Sequence, residues 1–275
     1  MWALGVGLLA LLGLREKVVL SASFDASLFG DDIDAYFERE EAKFSDIVEG
    51  VQKRVVWAGD VGSKTQVSVL YIHGFSATSE EIRPVPDKVA EALGANLLYT
   101  RLTGHRRSGA AMTQAIVGDW MRDTAEALAA VRAVGESVLV ISTSMGGTLM
   151  GAAALLEDLM ENVVGEIFVS PNFAINSASA VILTWPGVRW WGPLVGGAEC
   201  SFVVSNGDHA AYWTNSCPTV ALLPMAALVK VVDGLELGQA KIPALFVISD
   251  NDQGVSPTKT VKSQRNGAVQ VSWRF

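Results

Sequence analysis

The chain has 275 residues, 50% of them hydrophobic and 18% charged, with a mean hydropathy of +0.31. That composition excludes a disordered chain, and the length allows a full core in one or two domains. Acids outnumber bases, 29 to 21, for a net charge of −8, which argues against a nucleic-acid partner bound through phosphate neutralisation.

Trp2 to Leu14 is apolar and uncharged, and Arg15-Glu16-Lys17 ends the run. A spanning helix needs about 20 apolar residues. A signal peptide needs fewer, but also a basic start and a small-residue cleavage site. Here no base precedes the run, and Ser21-Ala22-Ser23 supplies the small residues. The segment reads as a signal peptide or short anchor, which implies membrane attachment through residues 2–14 or export. A cytoplasmic location is the alternative, because Arg15 and Lys17 would stay on that side.

Asp31 to Phe44 reads as an acidic amphipathic helix, with Ile33, Phe37 and Phe44 near helical spacing. From residue 51 strands and helices alternate. Strands are expected at Val67–Ile72, Asn96–Leu102, Ser137–Ser142, Glu166–Ser170, Ala244–Ile248 and Val269–Trp273. Helices are expected at Glu80–Leu93, with a start delayed by Pro84 and Pro86, at Met112–Val134 and at Gly147–Met160. Nearly continuous apolar strands alternating with helices imply an α/β fold with a mostly parallel sheet covered on both faces. Asn172 to about Leu237 breaks the alternation. It shows helical stretches without a clear strand pair, carries Trp185, Trp190, Trp191 and Trp213, and reads as a helical cap. The organisation is therefore an apolar segment at 1–20, a core formed by 21–171 and 238–275, and a cap at 172–237.

The strongest chemical signal is Val140-Ile141-Ser142-Thr143-Ser144-Met145-Gly146-Gly147. A buried strand runs into a turn and then a helix of small residues. Such a nucleophile elbow needs small residues two positions either side of the Ser, because the backbone is tight there. Ser144 satisfies this with Ser142 and Gly146; Ser142 itself is followed two positions on by Ser144 and is the poorer candidate. An ordinary helix N-cap would use the same residues. Earlier, His73-Gly74-Phe75-Ser76 ends another buried strand. Acyl transfer needs N–H groups aimed at a developing oxyanion, and Phe75 and Met145 stand where those donors come from.

With these residues the chain resembles the α/β-hydrolase family, particularly lid-bearing carboxylesterases and monoacylglycerol-lipase-like enzymes, over roughly residues 55–275. Leu102-Thr103-Gly104-His105 resembles the loop after that family's second parallel strand, with Thr103 where Pro is common. The resemblance makes His73 and His105 loop-structuring residues. It aligns Ser249-Asp250-Asn251-Asp252-Gln253-Gly254-Val255 with the loop that carries the catalytic acid, so Asp252 is the expected acid and Asp250 the runner-up. The family's base is a His after the acid, but this sequence has His73, His105 and His209 and none after Asp252. A truncated chain is the simplest expectation, and His209 in the cap is the weaker alternative base. The implied function is hydrolysis of a small carboxylic ester, apolar or aromatic given the cap tryptophans, without cofactor or metal. The rival is a non-catalytic homologue that binds an apolar ligand. Cys200 and Cys217 suit one bridge or two buried thiols, and the sequence leaves both open.

Overall fold

The computed structural model describes residues 15–174 and 178–249. The apolar run at 2–14 and the strand expected at 269–273 lie outside them.

Six strands form the main sheet: β1 (Arg54–Val56), β2 (Thr65–Ile72), β3 (Asn96–Tyr99), β4 (Gly135–Thr143), β5 (Val163–Val169) and β8 (Ala244–Val247), in the order β1-β3-β2-β4-β5-β8. All neighbours are parallel except β1, which runs antiparallel to β3. The sequence shows no sign of β1, a three-residue edge strand too short to carry a period. The α/β fold with a mostly parallel sheet is as expected.

Side-chain alternation along each strand builds two apolar layers. On β2, Leu70 and Ile72 join Leu98, Val138 and Val140 on one face, while Val69 and Tyr71 join Leu97, Tyr99 and Ile141 on the other. The first face is covered by α3 (Val117–Ala133) and α4 (Met145–Ala153), with Trp120, Leu128, Leu149 and Met150 fully buried. The second lies beneath α2 (Val85–Leu93), which contributes Ala90. Proline delays α2, as the sequence predicts. The long helix expected at 112–134 is instead a 3₁₀ turn, Gly109–Gln114, followed by α3. The break sits at Ile116, whose N–H donates to the Asp119 carboxylate (2.9 Å), a helix-start bond that resets the ladder.

The N-terminal part of the described chain is fastened to this core. Val18, Leu20 and Phe24 pack against the first apolar layer. The helix α1 (Ile33–Glu41) ends at Glu41, which takes two hydrogen bonds from the Arg101 guanidinium, at 2.7 and 2.8 Å, with both side chains buried. Lys53 pairs with Glu126, which also accepts from Tyr36.

Between β5 and β8 lie a 3₁₀ segment (Ala178–Thr184), α5 (Val188–Gly196), β6 (Glu199–Ser201), α6 (Gly207–Tyr212), β7 (Ser216–Pro218) and α7 (Leu222–Val232). The cap was expected to lack a strand pair, and the structure corrects this: β6 and β7 form an antiparallel ribbon with Cys200 opposite Cys217. The strands are three residues each, below the length at which alternation can be read. The helix α7 buries Leu228 and Val232 in the first apolar layer, so the last helix of the insertion also covers the sheet. Among the described residues no helix is long and apolar enough to cross a membrane.

Candidate active site

β4 ends at Thr143, and Ser144 turns the chain into α4 with φ 49° and ψ −114°. A positive φ at a non-glycine residue costs of order 1–3 kcal/mol and persists only when its surroundings impose it. Here they do. The Ser144 N–H donates to Val169 O (3.1 Å), and Ser144 O accepts from the N–H groups of Thr148 (3.2 Å) and Asn172 (2.9 Å). A Cβ built on Gly146 would stand 2.4 Å from Ile72 O and 2.8 Å from His73 O. The end of β2 therefore lies directly against the first turn of α4, and only glycine fits between them. Ser144 is half-buried, whereas Ser142 is fully buried within β4 and its Oγ has no partner among the described residues.

The His73–Ala77 loop faces this turn. A Cβ on Gly74 would come within 3.0 Å of Ser144 Cβ. Met145 opens α4, where the helix's own ladder leaves its N–H unused. In the facing loop Gly74 N–H donates to Glu81 and Ala77 N–H to Gly74 O, while Phe75 N–H has no partner among the described residues. The loop that bears Phe75 thus lies against Ser144 through Gly74.

The loop is set from below by its histidine. His73 is buried; its Nδ1 donates to Gly74 O (2.8 Å) and its Nε2 accepts from Leu102 N–H (3.1 Å). Burial pushes its pKa down to about 4, so it is neutral at neutral pH. His105 packs its ring 4.9 Å from His73 and 5.7 Å from Phe75, with Nδ1 3.2 Å from Thr103 O, and burial holds it well below the ordinary histidine value. His209 sits on α6, where its Nδ1 accepts from Ser205 N–H (3.0 Å) and its ring meets Trp213 edge-on. Asp250 and Asp252 lie outside the described residues.

Sequence reasoning missed a second support of the loop. Glu81 is half-buried and accepts from Gly74 N–H (2.7 Å) and Tyr71 OH (2.9 Å); Tyr71 OH also lies 3.2 Å from Thr143 Oγ1. Burial raises Glu81 to about 7. The chain Thr143–Tyr71–Glu81–Gly74 therefore links the residue before Ser144 to the facing loop. Its one sequence signal is an acid shortly after a His-Gly strand end, a spacing too ordinary to single out.

A small apolar cavity of about 150 Å³ lies in the cap, lined by Leu183, Val188, Trp191, Pro193 and Val195 among others. The tryptophans divide there: Trp191 lines the cavity, while Trp185 and Trp190 are mostly exposed.

The fold has counterparts among known proteins. Residues 69–271 match the alpha/beta hydrolase family. The chain belongs to that family. A thermostable monoacylglycerol lipase from Bacillus sp. (strain H-257) is 27% identical to it over 192 residues, covering 70% of this chain and 72% of that protein. A structure from work on LipS and LipT, two metagenome-derived lipolytic enzymes, aligns with a TM-score of 0.67 at 21% identity, over 83% of this chain and 89% of the other. A soluble variant of monoglyceride lipase from Saccharomyces cerevisiae aligns with a TM-score of 0.60 at 12% identity, over 82% of this chain and 81% of the other. At these identities the two structures speak for the fold alone.

Proposed function

We propose that this alpha/beta hydrolase is a serine hydrolase of small carboxylic esters, with Ser144 as nucleophile. Ser144 Oγ gives up its proton as it attacks the ester carbonyl carbon, that proton passes by way of solvent to the departing alkoxide, and the carbonyl oxygen that gains charge accepts from the Phe75 and Met145 N–H groups. The alcohol leaves, and water then releases the acid from the acyl-enzyme. Asp252 is the residue assigned to orient a base; no base is assigned among His73, His105 and His209. The observation that carries this reading is the positive-φ turn at Ser144, packed against the loop that bears Phe75. The monoacylglycerol-lipase relative and the apolar cap favour a fatty-acyl or aromatic ester.

A fluorophosphonate probe should label the chain at Ser144, with labelling lost in Ser144→Ala and kept in Ser142→Ala. Labelling that survives Ser144→Ala overturns the assignment. Turnover of short and long p-nitrophenyl esters then grades the acyl preference. The second reading, a binder of apolar ligands without turnover, is favoured by the structural engagement of both buried histidines. It predicts no labelling and no turnover, only saturable quenching of cap tryptophan fluorescence by a fatty acid.

A further inference from the structure

Cys200 and Cys217 face each other across the β6–β7 ribbon. Directly opposed residues of an antiparallel pair have Cα atoms ~4.5–5.5 Å apart, inside the ~4.4–6.8 Å range that a disulfide spans. The two Sγ atoms already touch, at 3.1 Å, and both thiols are free. Cys217 is buried, whereas Cys200 is partly exposed and open to a small oxidant. The hydrogen bond from Cys217 pulls the Cys200 thiol down to about 7, while the same contact and burial push Cys217 up. Cys200 is therefore the attacking thiolate and Cys217 the resolving thiol.

The ribbon is joined to the site. Thr214, two residues before β7, donates its N–H to Ser76 O (2.8 Å) in the loop that faces Ser144. Cys217 packs with Met112 and Ala221, and Phe75 and Cys200 close over that cluster. A Cβ on Gly109 would meet Ser216 O at 2.2 Å, so β7 lies flush against the 109–114 turn. Residues between the cysteines include α6, whose end is held by Arg106 through the carbonyls of Ala211 and Trp213.

We propose that Cys200 and Cys217 form a reversible disulfide that locks the β6–β7 ribbon against the His73–Ala77 loop. The oxidant is a small-molecule disulfide of the glutathione class. Cys200 thiolate attacks one of its sulfurs, that S–S bond breaks, and one glutathione thiolate leaves. Cys217 loses its proton to solvent and attacks Cys200 Sγ, expelling the second glutathione thiolate. Two cysteine thiols are oxidised, one glutathione disulfide is reduced to two thiols, and two protons pass from the cysteines to the products. A dithiol reverses each step. Closing the loop from 200 to 217 restricts the unfolded ribbon, and the native ribbon opens less often. The bond and the lock are independent of the hydrolase reading.

The test equilibrates the full chain with oxidised glutathione and maps disulfides by mass spectrometry of an unreduced digest. A linked pair of peptides carrying Cys200 and Cys217, removed by dithiothreitol, is the expected result. A stable glutathione adduct on Cys200, or two unchanged free thiols, overturns the proposal. Hydrogen exchange at Thr214 reads the lock without reference to catalysis. Exchange should slow roughly tenfold on oxidation, and oxidant should leave the Thr214 exchange rate unchanged in Cys200→Ser and in Cys217→Ser, the latter holding the glutathione adduct on Cys200. A linked pair with unchanged exchange at Thr214 refutes the locking part. Absence of fluorophosphonate labelling in the reduced chain, by contrast, would fault the hydrolase reading and leave the disulfide standing.

Discussion

The turn at Ser144 and the cap ribbon meet at one loop, yet they are built by different physics. Around Ser144 every neighbour is fixed. Gly146 is pressed on two carbonyl oxygens, Leu70 and Ile72 beneath it are fully buried, and Ser144 itself holds three backbone hydrogen bonds. In the cap, Leu194 is 86% exposed and Val203 is 90% exposed, and the ribbon reaches the core through Thr214, the Arg106 guanidinium and the small cluster of Cys217 with Met112 and Phe75. Strain at Ser144 survives because its surroundings cannot relax. Residues 194–204 of the cap, exposed apart from Cys200, have no such constraint, whereas α7 is packed into the first apolar layer of the sheet. The same chain thus places a rigid turn next to a loosely tied segment of the cap.

The sharpest way to break this contrast is to substitute glycine in both regions. In Gly146→Ala the new Cβ would meet two backbone oxygens that cannot move without shifting β2. We expect a loss of about 3 kcal/mol or more in urea unfolding, with fluorophosphonate labelling abolished. In Gly196→Ala, at the end of α5, nothing lies within 4 Å of the new Cβ. Here stability should hold or rise by about 0.5 kcal/mol. Equal losses at the two sites would mean that the cap is as constrained as the elbow.

The core carries its own penalty, and pH exposes it. Glu166 on β5 is buried, its Oε1 has no partner among the described residues, and burial raises its pKa to about 8. A carboxyl whose folded pKa lies above its unfolded value keeps its proton in the folded state. Stability from that group is therefore lost as pH rises from the unfolded pKa to the folded one. In Glu166→Gln this dependence disappears, while other titrating groups cancel in the difference between the two proteins. The variant's advantage in unfolding free energy should grow by about 2 kcal/mol between pH 6.5 and 8. A difference that stays constant over that range would show that Glu166 is not a buried acid.

The two regions also differ in how far their sequence announces them. The main sheet was legible because β2, β4 and β5 are apolar runs bounded by turns, and parallel strands buried on both faces must be so. The turn at Ser144 was legible because the required small residues leave a spacing, Ser142 and Gly146 around Ser144. The structural roles of His73 and His105 came from family resemblance, and their bonds agree with it. The ribbon was not legible: three-residue strands show no period, and register is what makes Cys200 and Cys217 neighbours. Glu81 was hidden for a different reason. A half-buried acid in a loop looks like any surface acid until Tyr71 OH and Gly74 N–H are seen to close on it.

The smallest expected effect concerns the tie between the regions. Arg106, itself at φ 48°, donates to the carbonyls of Trp213 and Ala211 and so holds the end of α6 next to the 103–108 loop. In Arg106→Ala those two carbonyls lie near enough to the surface to be taken by water, so the global cost should be about 1 kcal/mol, read from urea unfolding. The local cost should be proportionally larger. Thr214 follows Trp213 directly, and its bond to Ser76 depends on the segment that Arg106 holds. Its amide should therefore exchange roughly tenfold faster, while amides of β2 and β4 change only by the global amount. If Thr214 and the sheet amides instead shift together, ribbon and core open as one unit. The cap would then owe its position to the same packing that fixes Ser144, not to a few separable hydrogen bonds.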